Sequence, residues 1–190
     1  QTSLNLSTEQ ISGNILLNNP NYNFSDKTLK AGVDVSSTDR SSSSGFKSSK
    51  TGFVLGTGFE QYEDLFFTPE INVAFEEIEV DASASTAIKN MEGDFFNIDF
   101  TYGLTLDKRD QSWKPTEGYK TTFVQALPII QDSSAIENGL FISTYHDFTD
   151  DIIGSLKFHA RTINGLDDDV RLTKRLYISR NSLRGFNTRR

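Results

Sequence analysis

From Phe96 to Asp107 the chain alternates without a break. Phe96, Ile98, Phe100, Tyr102, Leu104 and Leu106 are separated by Asn97, Asp99, Thr101, Gly103, Thr105 and Asp107. A period of two over this length places all six apolar side chains on one face of a β-strand. The same period recurs along the chain. Leu29, Ala31, Val33 and Val35 alternate with Lys30, Gly32, Asp34 and Ser36. Phe53, Leu55, Thr57 and Phe59 alternate with Val54, Gly56, Gly58 and Glu60. Ile71, Val73 and Phe75 alternate with Glu70, Asn72, Ala74 and Glu76. Leu156, Phe158, Ala160 and Thr162 alternate with Lys157, His159 and Arg161. Fainter alternation occupies 2–8, 11–18, 119–127 and 139–148. The pattern predicts about nine strands, no helix, and an all-β antiparallel sheet.

Alternation alone leaves two environments open. In a soluble sandwich the polar face meets water and the apolar face a core. In a transmembrane barrel the apolar face meets lipid and the polar face the lumen. No stretch approaches the roughly 18 continuous apolar residues of a membrane helix. That does not bear on a barrel, whose strands cross with only about 9–11 residues, every second one apolar. A hydrophobic content of 36%, with 15 Phe and 6 Tyr against 1 Trp, fits such strands.

The expected connections alternate in length. Short, turn-like ones centre on Asn19-Pro20-Asn21, Tyr62-Glu63-Asp64, Lys114-Pro115-Thr116-Glu117-Gly118 and Thr149-Asp150-Asp151. Between them fall two longer segments, the Ser-rich stretch from Ser36 to Lys50 and the Ala/Ser-rich stretch from Asp81 to Asp94. Barrels of the outer membrane carry short periplasmic turns and longer surface loops.

Two motifs sharpen the choice. One is Leu183-Arg184-Gly185-Phe186, near the end of the chain. The other runs from Leu106 to Gly118 and contains Asp107, Arg109, Pro115 and Gly118. The first resembles the [VL]-R-G-[FY] signature of the BamA-type outer-membrane insertases. The second is similar to that family's D-x-R-x(4–5)-P-x-x-G turn, and Asn19-Pro20-Asn21-Tyr22 resembles its D-P-x-F turn with Asn in place of the acid. The motifs occur in the family's order. One departure is Ser179-Arg180, where the family has a Gly-Gly pair.

The resemblance implies an antiparallel up-and-down transmembrane β-barrel, with residues 1–190 as an unclosed part of it. They would match the third to eleventh of about sixteen strands. With no initiator Met and no basic-then-apolar leader at Gln1, the chain is expected to be an internal stretch of a longer protein. The resemblance further implies a bacterial outer-membrane location, with lipids, unfolded outer-membrane clients and assembly lipoproteins as partners. In the family the motif arginine reaches into the lumen, so Arg184 is expected to dock on strands beyond Arg190. Rivals are a TamA-like or two-partner-secretion transporter, a barrel fused to a hydrolase domain outside these residues, and a diffusion porin.

From the residues themselves, Pro115 presets φ and Gly118 can take φ > 0, which suits a chain reversal. Asp107 and Arg109, two apart, face one side. They are either an ion pair or solvated turn charges. No catalytic machinery is expected. His146 and His159 are the only histidines, there is no cysteine, and no nucleophile elbow or phosphate-binding glycine loop is present. Asp167-Asp168-Asp169 lacks the spaced ligands and glycine of a calcium loop. No metal and no cofactor are expected, and a net charge of -7 argues against nucleic acid.

Overall fold

A computed structural model describes residues 2–7, 10–132, 134–149, 151–166, 170 and 174–176. Nine strands form one sheet in strict sequence order. They are β1 (Thr2–Leu6), β2 (Gln10–Asn19), β3 (Thr28–Arg40), β4 (Phe46–Tyr62), β5 (Leu65–Val80), β6 (Gly93–Asp107), β7 (Gly118–Gln131), β8 (Ala135–Thr149) and β9 (Ile152–Gly165). Every neighbouring pair is antiparallel. Among the described residues β1 and β9 are the two edges, and the only α-helices are single turns, α1 (Ser41–Ser44) and α2 (Thr86–Lys89).

There is almost no interior. Among the described residues the buried apolar side chains are Ile78 and Ala135, and the buried polar one is Asn97. A soluble chain of this length would bury a large core. Here Leu17 and Leu156 are each 69% exposed, and Leu55 is 59% exposed. A two-sheet sandwich closed on Phe96, Phe100 and Leu104 is therefore excluded.

The register sorts the two faces cleanly. Ile15 pairs with Val33, Val33 with Phe53, Phe53 with Val73 and Val73 with Ile98, one apolar row across five strands. The rings of Phe75 and Phe96 pack 4.8 Å apart on the same face. The opposite face holds Asn14, Asp34, Gly52, Ala74 and Asn97 in a parallel row. It also encloses a hollow of about 240 Å³ whose lining includes Asp34, Lys50, Asn72, Asp99, Thr101 and Glu137. With Ala126 on β7, the lining draws on six adjacent strands of one sheet, β3 to β8, so that face must curve around the space. Polar is concave and apolar is convex, as lipid outside and water inside require.

Three connections differ from the sequence reading. The long loop expected from Ser36 to Lys50 is mostly strand, because β3 runs to Arg40 and β4 starts at Phe46. Its serines and threonines pair across the ladder, Ser36 with Lys50 and Thr38 with Ser48, and Asp39 meets Lys47 at 3.6 Å. Gly45 at φ 75° closes the remaining five-residue reversal. The turn expected at Asn19-Pro20-Asn21 is instead an eight-residue loop from Pro20 to Lys27, closed by Tyr22 N–H donating to Lys27 O at 2.8 Å. Asn23, Phe24 and Asp26 take positive φ there. The reversal at Pro115 belongs to a ten-residue connection, 108–117.

The rim carrying the 20–27, 63–64 and 108–117 connections and the β8–β9 reversal is studded with exposed aromatics. Phe24 is 94% exposed, Trp113 79%, Tyr62 70% and Phe148 66%. Aromatic rings gathered at one edge of an apolar belt are the signature of a bilayer interface.

Candidate functional site

The concave wall is built by residues that reach across one another. Lys30 on β3 donates to Glu70 on β5 at 2.7 Å, over the intervening strand. The residue between them is Gly56, paired with Lys30 on one side and Glu70 on the other. A Cβ there would meet Glu70 Cγ at 2.6 Å and Pro69 O at 3.0 Å. The bridge exists because β4 has no side chain at this point. Asp34 similarly lies over Gly52. Elsewhere on the wall Asn72 donates to Thr101 at 3.1 Å, Gln131 donates to Asp99, and Ser48 donates to Glu76 at 3.2 Å. The result is a hydrogen-bonded, charge-mixed surface bearing both signs.

The turn rim is tied by a second network. Arg109 makes a two-pronged contact with Asp107, Nε and Nη2 each 2.7 Å from a carboxylate oxygen. The two side chains are only 13% and 22% exposed, and Lys120 adds a second cation at 3.7 Å. Of the two readings open from sequence, the structure has the ion pair. Lys108 donates to Asp64 at 2.7 Å, and Asp107 N–H donates to Asp64 O at 3.0 Å, which fastens this turn to the β4–β5 turn. The hydrogen bond to Asp64 holds the Lys108 ammonium above its ordinary pKa.

Sequence reading missed Asp110, the hub of this loop. Its carboxylate accepts from Thr116 N–H at 3.0 Å, Thr116 Oγ1 at 2.9 Å and Glu117 N–H at 3.2 Å. An aspartate ahead of a Thr-Glu pair is a weak signal alone, and nothing local marks it. Gly118 ends the loop at φ 90°, and a Cβ there would collide with the Lys108 carbonyl. Gly118→Ala is therefore expected to lower stability by about 1–3 kcal/mol, measured as the shift in urea midpoint of the folded, heat-modifiable barrel.

Neither histidine has a catalytic setting. His159 lies edge-on to Phe141 at 5.3 Å on the concave face, and His146 edge-on to Phe148 at 5.0 Å. Among the described residues one group, Glu117, His146 and Asp147, could approach a common cation; all three are exposed at the turn rim. The Leu183-Arg184-Gly185-Phe186 motif, Ser179-Arg180 and Asp167-Asp168-Asp169 lie outside the described residues.

The geometry is thus an up-and-down wall, lipid-facing outside and polar inside. The Omp85 superfamily domain matches residues 1–190, the whole chain. The chain belongs to the Omp85 superfamily. A search of curated proteins finds no significant match. Among solved structures, the chain is similar to BamA from Haemophilus ducreyi lacking POTRA domains 1–3, with a TM-score of 0.70 at 14% identity. The similarity covers 84% of this chain and 34% of that one, so the chain spans about a third of the length of this structure. At that identity the likeness concerns the fold, a BamA-type barrel wall. This Omp85 wall is therefore a segment of a bacterial outer-membrane β-barrel, and its convex face is the face turned to lipid.

Proposed function

We propose that residues 1–190 are an internal part, the third to eleventh strands, of an Omp85 barrel of the BamA type, one that folds and inserts other β-barrel proteins into the outer membrane. The observation that carries this is the Leu183-Arg184-Gly185-Phe186 motif following the ninth strand of a wall that resembles the BamA barrel over 84% of its length. Its clients are unfolded outer-membrane proteins, and its partners are the surrounding lipid and assembly lipoproteins. The work is strand templating and requires no bond chemistry or cofactor. An exposed strand edge is a ready template for pairing. The wall contributes a stiff, polar lumen in which the motif loop docks.

The test is in the full-length protein. Arg184→Ala is expected to reduce the levels of other outer-membrane barrels in cells and to lower the temperature at which the barrel loses its fast gel migration. A docked guanidinium leaves an uncompensated partner when removed, about 3–5 kcal/mol. Arg190→Ala is expected to change neither. Mild, equal effects would remove the docking role. Normal client levels with loss of one secreted passenger would favour the transporter reading.

A further inference from the structure

Alternation decides which face a side chain takes, but not which partner it meets. A strand that slips by two residues against its neighbour keeps every side chain on its own face. Some other feature must choose among such registers. At the β8–β9 hairpin it is a tight reversal, which pairs Thr149 with Ile152. At β6–β7 the connecting loop is itself tied, by Lys108 N–H donating to Tyr119 O at 2.8 Å and by the bonds to Asp110. Between β7 and β8 the pairing of the described residues stops at Ala126–Glu137, which leaves residues 127–136 outside it. Leu127, Pro128, Ile130 and Gln131 pair with β6 instead, across a register shift, and Ala135 and Ile136 pair with β9. Closing a segment of that kind costs nearly the same when it gains or loses two residues. The turn therefore does not choose this register.

The lipid-facing side of the same seam carries two amides. Gln125 stands opposite Asn138. Tyr102 Oη donates to Gln125 Oε1 at 2.8 Å, Gln125 Nε2 to Asn138 Oδ1 at 2.6 Å, and Asn138 Nδ2 to Thr162 Oγ1 at 3.3 Å. The outward positions on either side are apolar, Phe123 and Leu127 on β7 and Leu140 and Ile136 on β8. We propose that Gln125 and Asn138 key the register of β7 against β8, as a single polar residue in an apolar seam fixes the register of a coiled coil. One slip by two residues sets Gln125 against Leu140 and Asn138 against Leu127. The opposite slip sets Gln125 against Ile136 and Asn138 against Phe123. Gln125 keeps Tyr102 in both, and Asn138 keeps Thr162, because those bonds lie within β6–β7 and β8–β9. What each slip strands is Gln125 Nε2 and Asn138 Oδ1, facing hydrocarbon where no water replaces the lost partner. The penalty falls on the one seam whose turn leaves the register open.

The proposal rests on the barrel wall, which an insertase and a transporter would share, so its failure would leave the proposed activity untouched. The test uses the full-length protein, free of cysteine apart from introduced pairs and folded in phosphatidylcholine vesicles. Thr122→Cys with Phe141→Cys reports the native register. Thr122→Cys with Ser143→Cys reports one slip, and Lys120→Cys with Phe141→Cys the other. The parent should form the first disulfide and only background levels of the other two. Asn138→Leu alone is expected to reduce the folded fraction, because Gln125 Nε2 then lacks its acceptor. Adding Gln125→Leu should restore folding and raise the slipped disulfides by about tenfold or more, the scale set by leaving a buried amide unpaired. Exchanging the amides, Gln125→Asn with Asn138→Gln, should keep the native disulfide alone. A double leucine variant that holds one register, or that folds less well than Asn138→Leu, would overturn the proposal, and so would slipped disulfides in the exchanged pair.

Discussion

Leu55→Arg is expected to prevent stable insertion of the barrel, although Leu55 is 59% exposed and touches no core. In a water-soluble sheet an exposed Leu→Arg change stays within about 0.5 kcal/mol. On the lipid face at mid-depth it costs about 2–4 kcal/mol, falling to about 0–1 near the interfaces. Leu55 lies in the row of Leu17, Ala31, Ile71 and Phe100, in the middle of the belt on β4. Ser49 points outward on the same strand but sits beyond the belt, paired with Glu77. Ser49→Arg is therefore expected to fold as the parent does. The measurement is the fraction of heat-modifiable barrel in vesicles and its urea midpoint. Equal tolerance of both arginines would mean that the convex face does not meet acyl chains.

The strand pattern was legible because two unlike environments press on this wall at once. Lipid on one side and a wet lumen on the other leave no tolerance for a shifted period, and the run from Phe96 to Asp107 alternates accordingly. The faces could not be named from that run, because a soluble sheet alternates too. Naming them needed the register, which brings Asp34, Asn72, Asp99 and Glu137 around one hollow. The Ser-rich stretch misled because serine favours turns locally, yet Ser36, Ser37, Ser48 and Ser49 are carried into the ladder by their paired strands.

The lumen wall shows the same limit at a single glycine. Gly56 shows in the sequence only as a small residue on the polar side of an alternating run, but the room it leaves joins Lys30 to Glu70, 40 residues apart. Gly56→Val is expected to destabilise the barrel by about 3 kcal/mol. Crowding against Glu70 Cγ and Pro69 O contributes about 1–3 kcal/mol. Displacing the carboxylate then strands a half-buried ammonium, at a cost between the 0–1 kcal/mol or so of an exposed pair and the roughly 3–5 of a buried one. Gly13→Val is the control. Gly13 sits on the convex face, where an added Cβ finds Leu4 Cδ1 at 3.8 Å, an ordinary contact. Its effect is expected within about 0.5 kcal/mol. The decisive comparison is a double-mutant cycle of Gly56→Val with Glu70→Ala, read as urea midpoints. Once Glu70 is truncated, the nearest obstacle, its Cγ, and the bridge are both gone, so the two losses should sum to more than the double variant shows. Strict additivity would mean that Gly56 is there for the bend of β4 and not for the bridge that crosses it.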